Sequence, residues 1–266
     1  GISHAIDRIT LHLQEHYAKY GNEGYILQID LKDYFASIPH DKMKEQIRSK
    51  FTDQRIIHLT EQFIDAFAED KMKEMARFKE EAMEYGEEYA RGLGLGSEIC
   101  QICAVSYPDK VDHYVKDVKG IRAYARYMDD SYIIHYDKEY LKELLEEVRK
   151  IYESLGIRLN DKKTKIVKLS HGFTFLKTHF LLTDTGKVVK RICRDSVTRE
   201  RRKLKKFAKL NAEGHMSYEQ IRAAYQSWRG FAGKKDAYHT IRRMNALFNR
   251  LFIENWEYIP YIPKTV

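Results

Sequence analysis

Arg122–Tyr136, RAYARYMDDSYIIHY, is the stretch on which the fold turns. Two runs rich in Tyr, Ile and Arg, Arg122–Tyr127 and Ser131–Tyr136, flank a short segment holding Met128, Asp129 and Asp130. That pattern predicts a β-hairpin with acids at its tip. Asp is common in turns, and an exposed pair needs no explanation. A pair held on rigid strands is different, because adjacent carboxylates repel and are costly unless a cation neutralises them. Mg²⁺ suits such a site: it takes few carboxylates and completes its shell with water and phosphate oxygens.

Upstream, Tyr25–Leu31 (YILQIDL) predicts a short buried strand with Asp30 near its end. An acid at a strand end can simply face water. If Asp30 lies beside the hairpin, three carboxylates can hold two metal ions roughly 3.5–4 Å apart. Phosphoryl transfer at such a centre needs positioning and charge neutralisation, not a nucleophilic side chain.

Around these acids the chain alternates helices and strands up to about Ile192, and only helices follow. Ile2, Ile6, Ile9, Leu13 and Tyr17 recur at helical spacing, and the turn Gly21–Gly24 ends that helix. Asp41 is a candidate N-cap for a helix after Pro39. Further helices are expected over Asp53–Asp70 and on to about Ala90, with Met72, Met75 and Phe78 on one stripe. A glycine-rich loop, Gly92–Ser97, leads into another helix, and Gly156 closes one over Lys138–Leu155. Strands are expected at Lys165–Leu169, Phe173–Leu182 and Lys187–Ile192. The shift predicts an α+β domain with an appended helical one.

The 266 residues, 43% hydrophobic, suffice for one large domain or two small ones. No apolar run approaches the roughly 18 residues of a membrane span, and three cysteines make no disulfide framework. The expected setting is the cytoplasm. Net charge is +8, which points to a nucleic-acid partner. Lys187–Lys209 is strongly basic and Glu69–Glu88 mostly acidic. Cys100 and Cys103 form a lone CxxC on a predicted helix, which reads as a reduced pair rather than a zinc site.

Tyr127-Met128-Asp129-Asp130 resembles the motif C signature of reverse transcriptases. The surrounding order strengthens the resemblance. Ile29–Met43 (IDLKDYFASIPHDKM) is similar to motif A, and Gly92–Gln101 (GLGLGSEICQ) to motif B. Gly156–Ile166 (GIRLNDKKTKI) is similar to motif D, and Phe173–Phe180 (FTFLKTHF) to motif E.

The resemblance implies a right-hand polymerase: an antiparallel palm sheet with helices on one face, then an all-helical basic thumb. Residues 1–24 would be a remnant of the fingers, 25–192 the palm and 193–266 the thumb, with the fingers otherwise largely absent. It implies an RNA-directed DNA polymerase that takes an RNA template, a DNA or RNA primer and dNTPs, with an upstream fingers segment or accessory protein as a further partner. Asp30, Asp129 and Asp130 would bind two Mg²⁺ ions, Mn²⁺ being a possible substitute, with the backbone carbonyl of Leu31 assisting. Asp33, Tyr34, Phe35, Leu95, Gly96, Ser97 and Gln101 would line the nucleotide site. Phe35 would act as a steric gate against the 2′-hydroxyl, and Lys163 as a charge stabiliser or general acid near the leaving pyrophosphate. Tyr127, Met128, Phe175, Leu176 and Lys177 would grip the primer. Arg191, Arg194, Arg199, Arg202, Lys205 and Lys206 would hold nucleic acid.

Motif B departs from the family's common form, with Gly94 and Leu95 where Pro and Gln usually stand. An aliphatic residue there, with Gln101 later, resembles reverse transcriptases of diversity-generating retroelements, which copy RNA with frequent errors. A non-catalytic RNA-binding remnant and a template-independent, defence-associated polymerase are the alternatives.

Overall fold

A computed structural model describes residues 1–75, 91–94 and 96–252, with side chains over these ranges except 67–75. The side chains of the Met72, Met75 and Phe78 stripe, most of the acidic Glu69–Glu88 run, Leu95 and the proline-containing tail lie outside the described residues. Two compact units emerge, Gly1–Lys168 and Leu169–Val266.

In the first unit, helix α1 (Ile2–Tyr20) leads to strand β1 (Tyr25–Ile29), a short α2 (Tyr34–Ser37), α3 (His40–Lys50) and α4 (Gln54–Met75). Helix α5 (Glu98–Ser106) and a short α6 (Asp109–His113), prolonged by a π-helical turn to Val118, precede β2 (Tyr124–Tyr127) and β3 (Asp130–His135). Helix α7 (Lys138–Ser154) and β4 (Lys165–Lys168) complete the unit. Asp41 does not cap α3: the helix starts two residues earlier, with Pro39 at the cap and Asp41 in the first turn. The fixed φ of proline suits that boundary. Helix α7 is capped by the side chain of Asp137, and Gly156 turns the chain away at φ 73°. A Cβ there would stand 2.6 Å from Pro39, so this close approach requires glycine.

The sheet order is β2-β3-β1-β4, with every neighbour antiparallel. Leu27 and Ile29 of β1 and Ile133 of β3 join one core with Ala104 of α5 and Leu144 and Val148 of α7. Strand alternation sends Ile26, Tyr132 and Ile134 to the opposite face, where α1 packs on β2 and β3. There the Tyr132 hydroxyl lies 3.0 Å from His12 Nδ1. Truncating a fully buried residue such as Leu27 to alanine costs about 2–5 kcal/mol.

The second unit carries β5 (Phe173–Phe175), β6 (Thr178–Leu182) and β7 (Val188–Ile192), paired in sequence order. The single strand expected over Phe173–Leu182 is two, because Phe175 pairs with Thr178 across a turn at Leu176-Lys177. Both turn residues sit at positive φ, 45° and 58°, without the glycine or asparagine that would have announced them. Helices α8 (Arg194–Ala212), α9 (Tyr218–Gly233) and α10 (Tyr238–Leu251) pack through Leu204, Ile221, Tyr225, Met244 and Phe248. Ser217 and Gln220 form a capping box at the start of α9. Among the described residues no helix is long and apolar enough to cross a membrane.

Candidate active site

The hairpin β2–β3 closes on the pair Tyr127↔Asp130, leaving Met128 and Asp129 as its two turn residues. Met128 adopts φ 57°, a conformation that costs a side-chain-bearing residue about 1–2 kcal/mol. Arg126 holds the strained tip from beneath. Its guanidinium donates to the Met128 carbonyl at 3.1 Å, to Val105 O at 2.8 Å and to the Asp112 carboxylate at 2.6 and 3.0 Å. Asp112 also accepts from the Tyr124 hydroxyl. Nothing in the motif singles out Arg126. The one clue was a charged residue inside a run otherwise suited to a strand.

Asp30 reaches the hairpin through strand register. Ile29 pairs with Ser131, so the next position sets Asp30 opposite Asp130. Directly opposed like charges are destabilising. Burial first, then the charges of Asp129 and Asp30, push the Asp130 carboxyl up to about 6, with Lys163 pulling the other way. One oxygen of Asp30, Oδ2, pairs with the Lys163 ammonium at 3.1 Å. The other, Oδ1, is buried with no hydrogen-bond partner.

The segment after α7 fixes the Asp30 backbone. Asn160 N–H donates to Asp30 O at 2.8 Å and Lys32 N–H to Arg158 O at 2.9 Å, around a bridge between Leu31 and Leu159. In such a pair the central residue turns its own N–H and C=O away from its partner. The Leu31 carbonyl therefore faces the other side, where β1 is flanked by β3.

Among the described residues no three carboxylate, imidazole or thiol groups form a ready-made metal cage. The donors nevertheless fit a divalent cation. A buried carboxylate oxygen lacks a partner, an opposed acid has its pKa raised, and a carbonyl turns toward the same strand edge. All are hard oxygen ligands of the kind Mg²⁺ takes.

Motif B's first residues are stitched to α2: Gly92 N–H donates to Ile38 O at 2.9 Å and Leu93 N–H to Phe35 O at 2.8 Å. Phe35 is half-buried, edge-on to Tyr34 at 5.5 Å. The Tyr34 ring points into the core. It is 3% exposed and its hydroxyl donates to the Ala104 carbonyl, so its ring serves the core. Asp33 is exposed at φ 47°. A Cβ on Gly96 would meet nothing within 4 Å. Ser97 caps α5, its hydroxyl accepting from Cys100 N–H at 3.3 Å, and Gln101 follows half-buried on that helix. Cys100 and Cys103 are buried core thiols, and burial pushes Cys103 up to about 11.

Lys163 stands largely exposed beside Asp30, its ammonium paired with that carboxylate. Phe175 is buried, at 4% exposed. Leu176 and Lys177 form the tip of that hairpin, and Tyr127 and Met128 are half-buried at the other. Arg191 is exposed on β7, and Arg194, Arg199, Arg202, Lys205 and Lys206 are exposed on α8, whose opposite face buries Leu204.

Residues 3–180, well over half of the chain, match the family model described as reverse transcriptase (RNA-dependent DNA polymerase). The chain belongs to that family. Among solved structures it is similar to telomerase from Candida albicans in complex with a TWJ fragment of telomeric RNA. Identity is 13% and the TM-score 0.53, over 96% of this chain and 46% of that one. It is also similar to the corresponding Candida tropicalis telomerase complex, at 16% identity and TM-score 0.51, over 92% and 43%. The chain thus spans less than half the length of either telomerase, and at these identities the likeness speaks to fold. No curated protein sequence matches. The fold is the α+β polymerase palm followed by a helical thumb.

Proposed function

We propose that this chain is the catalytic palm and thumb of an RNA-directed DNA polymerase that extends a primer 3′ end with dNTPs on an RNA template. The observation that carries the reading is the register opposing Asp30 to Asp130, with Asp30 Oδ1 buried and unpartnered. Asp30, Asp129, Asp130 and the Leu31 carbonyl would hold two Mg²⁺ ions, which supply Lewis-acid charge neutralisation for in-line phosphoryl transfer.

The chain's own groups supply orientation. Arg126 keeps the hairpin tip in its strained conformation. Phe35, seated on Tyr34, would fill the space beneath the sugar and exclude a 2′-hydroxyl. The open space at Gly96 leaves room for a nucleotide against the backbone. Leu176, Lys177, Tyr127 and Met128 would bear on the primer end, and the exposed cations of β7 and α8 on its phosphates. Leu95 with Gln101 supports an error-prone enzyme of the diversity-generating kind, a reading that an unchanged error spectrum in a Leu95→Gln variant would refute.

The test is primer extension on an RNA template with Mg²⁺ and dNTPs, for this chain and for one extended by its native upstream sequence. Each is run beside an Asp129→Ala/Asp130→Ala control. Extension lost in the control is the expected result. Extension that survives the control overturns the site, and RNA binding without extension from either form favours a non-catalytic binding protein.

A further inference from the structure

Two clefts flank α1 in the first unit, of about 610 and 320 Å³, and His12 and Arg122 line both. They lie end to end along α1, bordered on the other side by the segment from Lys116 to Tyr127. From Arg8 to Tyr20 the helix rises about 18 Å. Asp130 lies two residues before Tyr132, whose hydroxyl meets α1, so the clefts and the acids open on the same face of the sheet. The narrow cleft reaches Tyr127, beside the hairpin turn. The wide one lies at the far end, where Tyr25 pairs with His135, about 17 Å along the sheet from Asp30.

The far end is aromatic. Tyr20 and Tyr136 stack at 4.9 Å and 27°, and each is about half exposed, at 47% and 52%. His16 tilts against Tyr20 at 5.1 Å, and His135 against Tyr136 at 4.5 Å and Tyr140 at 4.4 Å. Burial holds His16 below its ordinary pKa, so its ring acts as a neutral aromatic. Around the rings the clefts are basic. Arg8, Lys116, Arg122 and Lys19 are exposed along them. Their acids are Glu15 and Asp112, and Asp112 is already neutralised by Arg126.

Half-exposed stacked rings flanked by exposed cations match the chemistry of unpaired bases on a charged backbone. A duplex offers no such base faces. We infer that the palm carries a second nucleic-acid site along α1 for a single strand, its bases on Tyr20 and Tyr136 and its phosphates on Arg8, Arg122 and Lys19. The site is separate from the catalytic acids, and its occupancy needs no catalysis.

The full chain, first saturated with primer–template duplex, is titrated with fluorescent single strands of about ten nucleotides, oligo(rU) or oligo(dT). Photoactivatable thio-bases in the same strands map where they lie. A second binding event is expected, cross-linking to residues 12–20, 119–123 and 134–140. Its affinity should fall roughly tenfold or more in Tyr20→Ala/Tyr136→Ala and recover in the double Phe variant. Arg122→Ala should weaken it severalfold and flatten its salt dependence. Extension of the duplex should stay unchanged in these variants. Binding of either polymer supports the site, and the tighter one identifies the strand. No second event, equal affinity in the Ala variant, or cross-links confined to the catalytic hairpin or α8 overturns it. Should the duplex fail to load, the single-strand titration and cross-link map still decide, so the two readings fail separately.

Discussion

The Lys163 ammonium stands 3.1 Å from Oδ2 of Asp30, tying the loop before β4 to the residue that follows β1. The hydrogen bond and charge of Asp30 raise the Lys163 pKa, so the proton is held more tightly there than on a free lysine. The same ammonium occupies a carboxylate oxygen that a divalent cation would need. Replacing it with Met should therefore ease cation entry while removing a positive charge from the reaction. The half-saturating Mg²⁺ concentration for extension should fall by roughly two- to fivefold, the range of an exposed ion pair. Turnover should fall about tenfold or more. Titrating Mg²⁺ in the extension assay separates the two effects, and a variant unchanged in both would show that the pair is incidental.

Arg126 is 8% exposed and joins Asp112, Val105 and the Met128 carbonyl. Arg126→Ala should destabilise the fold by about 2–3 kcal/mol, because Asp112 is left half-buried without its partner. Lysine carries the charge but not the planar fork, so Arg126→Lys should recover stability only in part and leave extension low. Urea unfolding and extension measured on the same three proteins test this. Wild-type extension from the lysine variant would mean that the hairpin tip needs only a charge beneath it.

Leu176 and Lys177 both hold positive φ in a two-residue turn. Asn-Gly is the sequence that such a turn favours. The double substitution Leu176→Asn/Lys177→Gly should stabilise the protein by about 1 kcal/mol. If these side chains bear on the primer, its affinity should drop at the same time. Thermal melting read with primer binding checks both. A stabilised protein with unchanged primer affinity would remove the turn from the primer site.

Lys235 is 5% exposed, with its ammonium over the Phe231 ring at 3.2 Å from the centroid. Burial lowers its pKa to about 8. Its folded pKa lies below the unfolded value, so the stability it contributes is present at high pH and is lost as pH falls through about 8. Lys235→Met should therefore raise the melting temperature at pH 7 by several degrees, an effect of order 1–3 kcal/mol. The gain should shrink toward pH 10. A gain independent of pH would assign the effect to packing.

Much of the architecture was legible because it rests on local patterns. The period of α1, the alternation around β1 and β3, and the cap and stop of α7 are all written in neighbouring residues. The hairpin at Leu176-Lys177 was not, because its turn lacks the residues that turns ordinarily use. The burial of the Tyr34 and Phe175 rings was not legible either. A motif names positions, whereas the Ala104 carbonyl and the packing of the second unit decide which way those rings point. Arg126 escaped notice because its partners, Val105 and Asp112, come from another element.

By itself, the sequence determined the family, the order of the elements and the three acids as candidates, since periodicity and motif spacing are properties of the linear chain. Only tertiary structure decided that Asp30 faces Asp130, that Lys163 pairs with Asp30, and that basic, aromatic clefts follow α1. Each depends on strand register or on the packing of elements far apart in sequence. A register shift of one residue in β1 would send Asp30 to the other face.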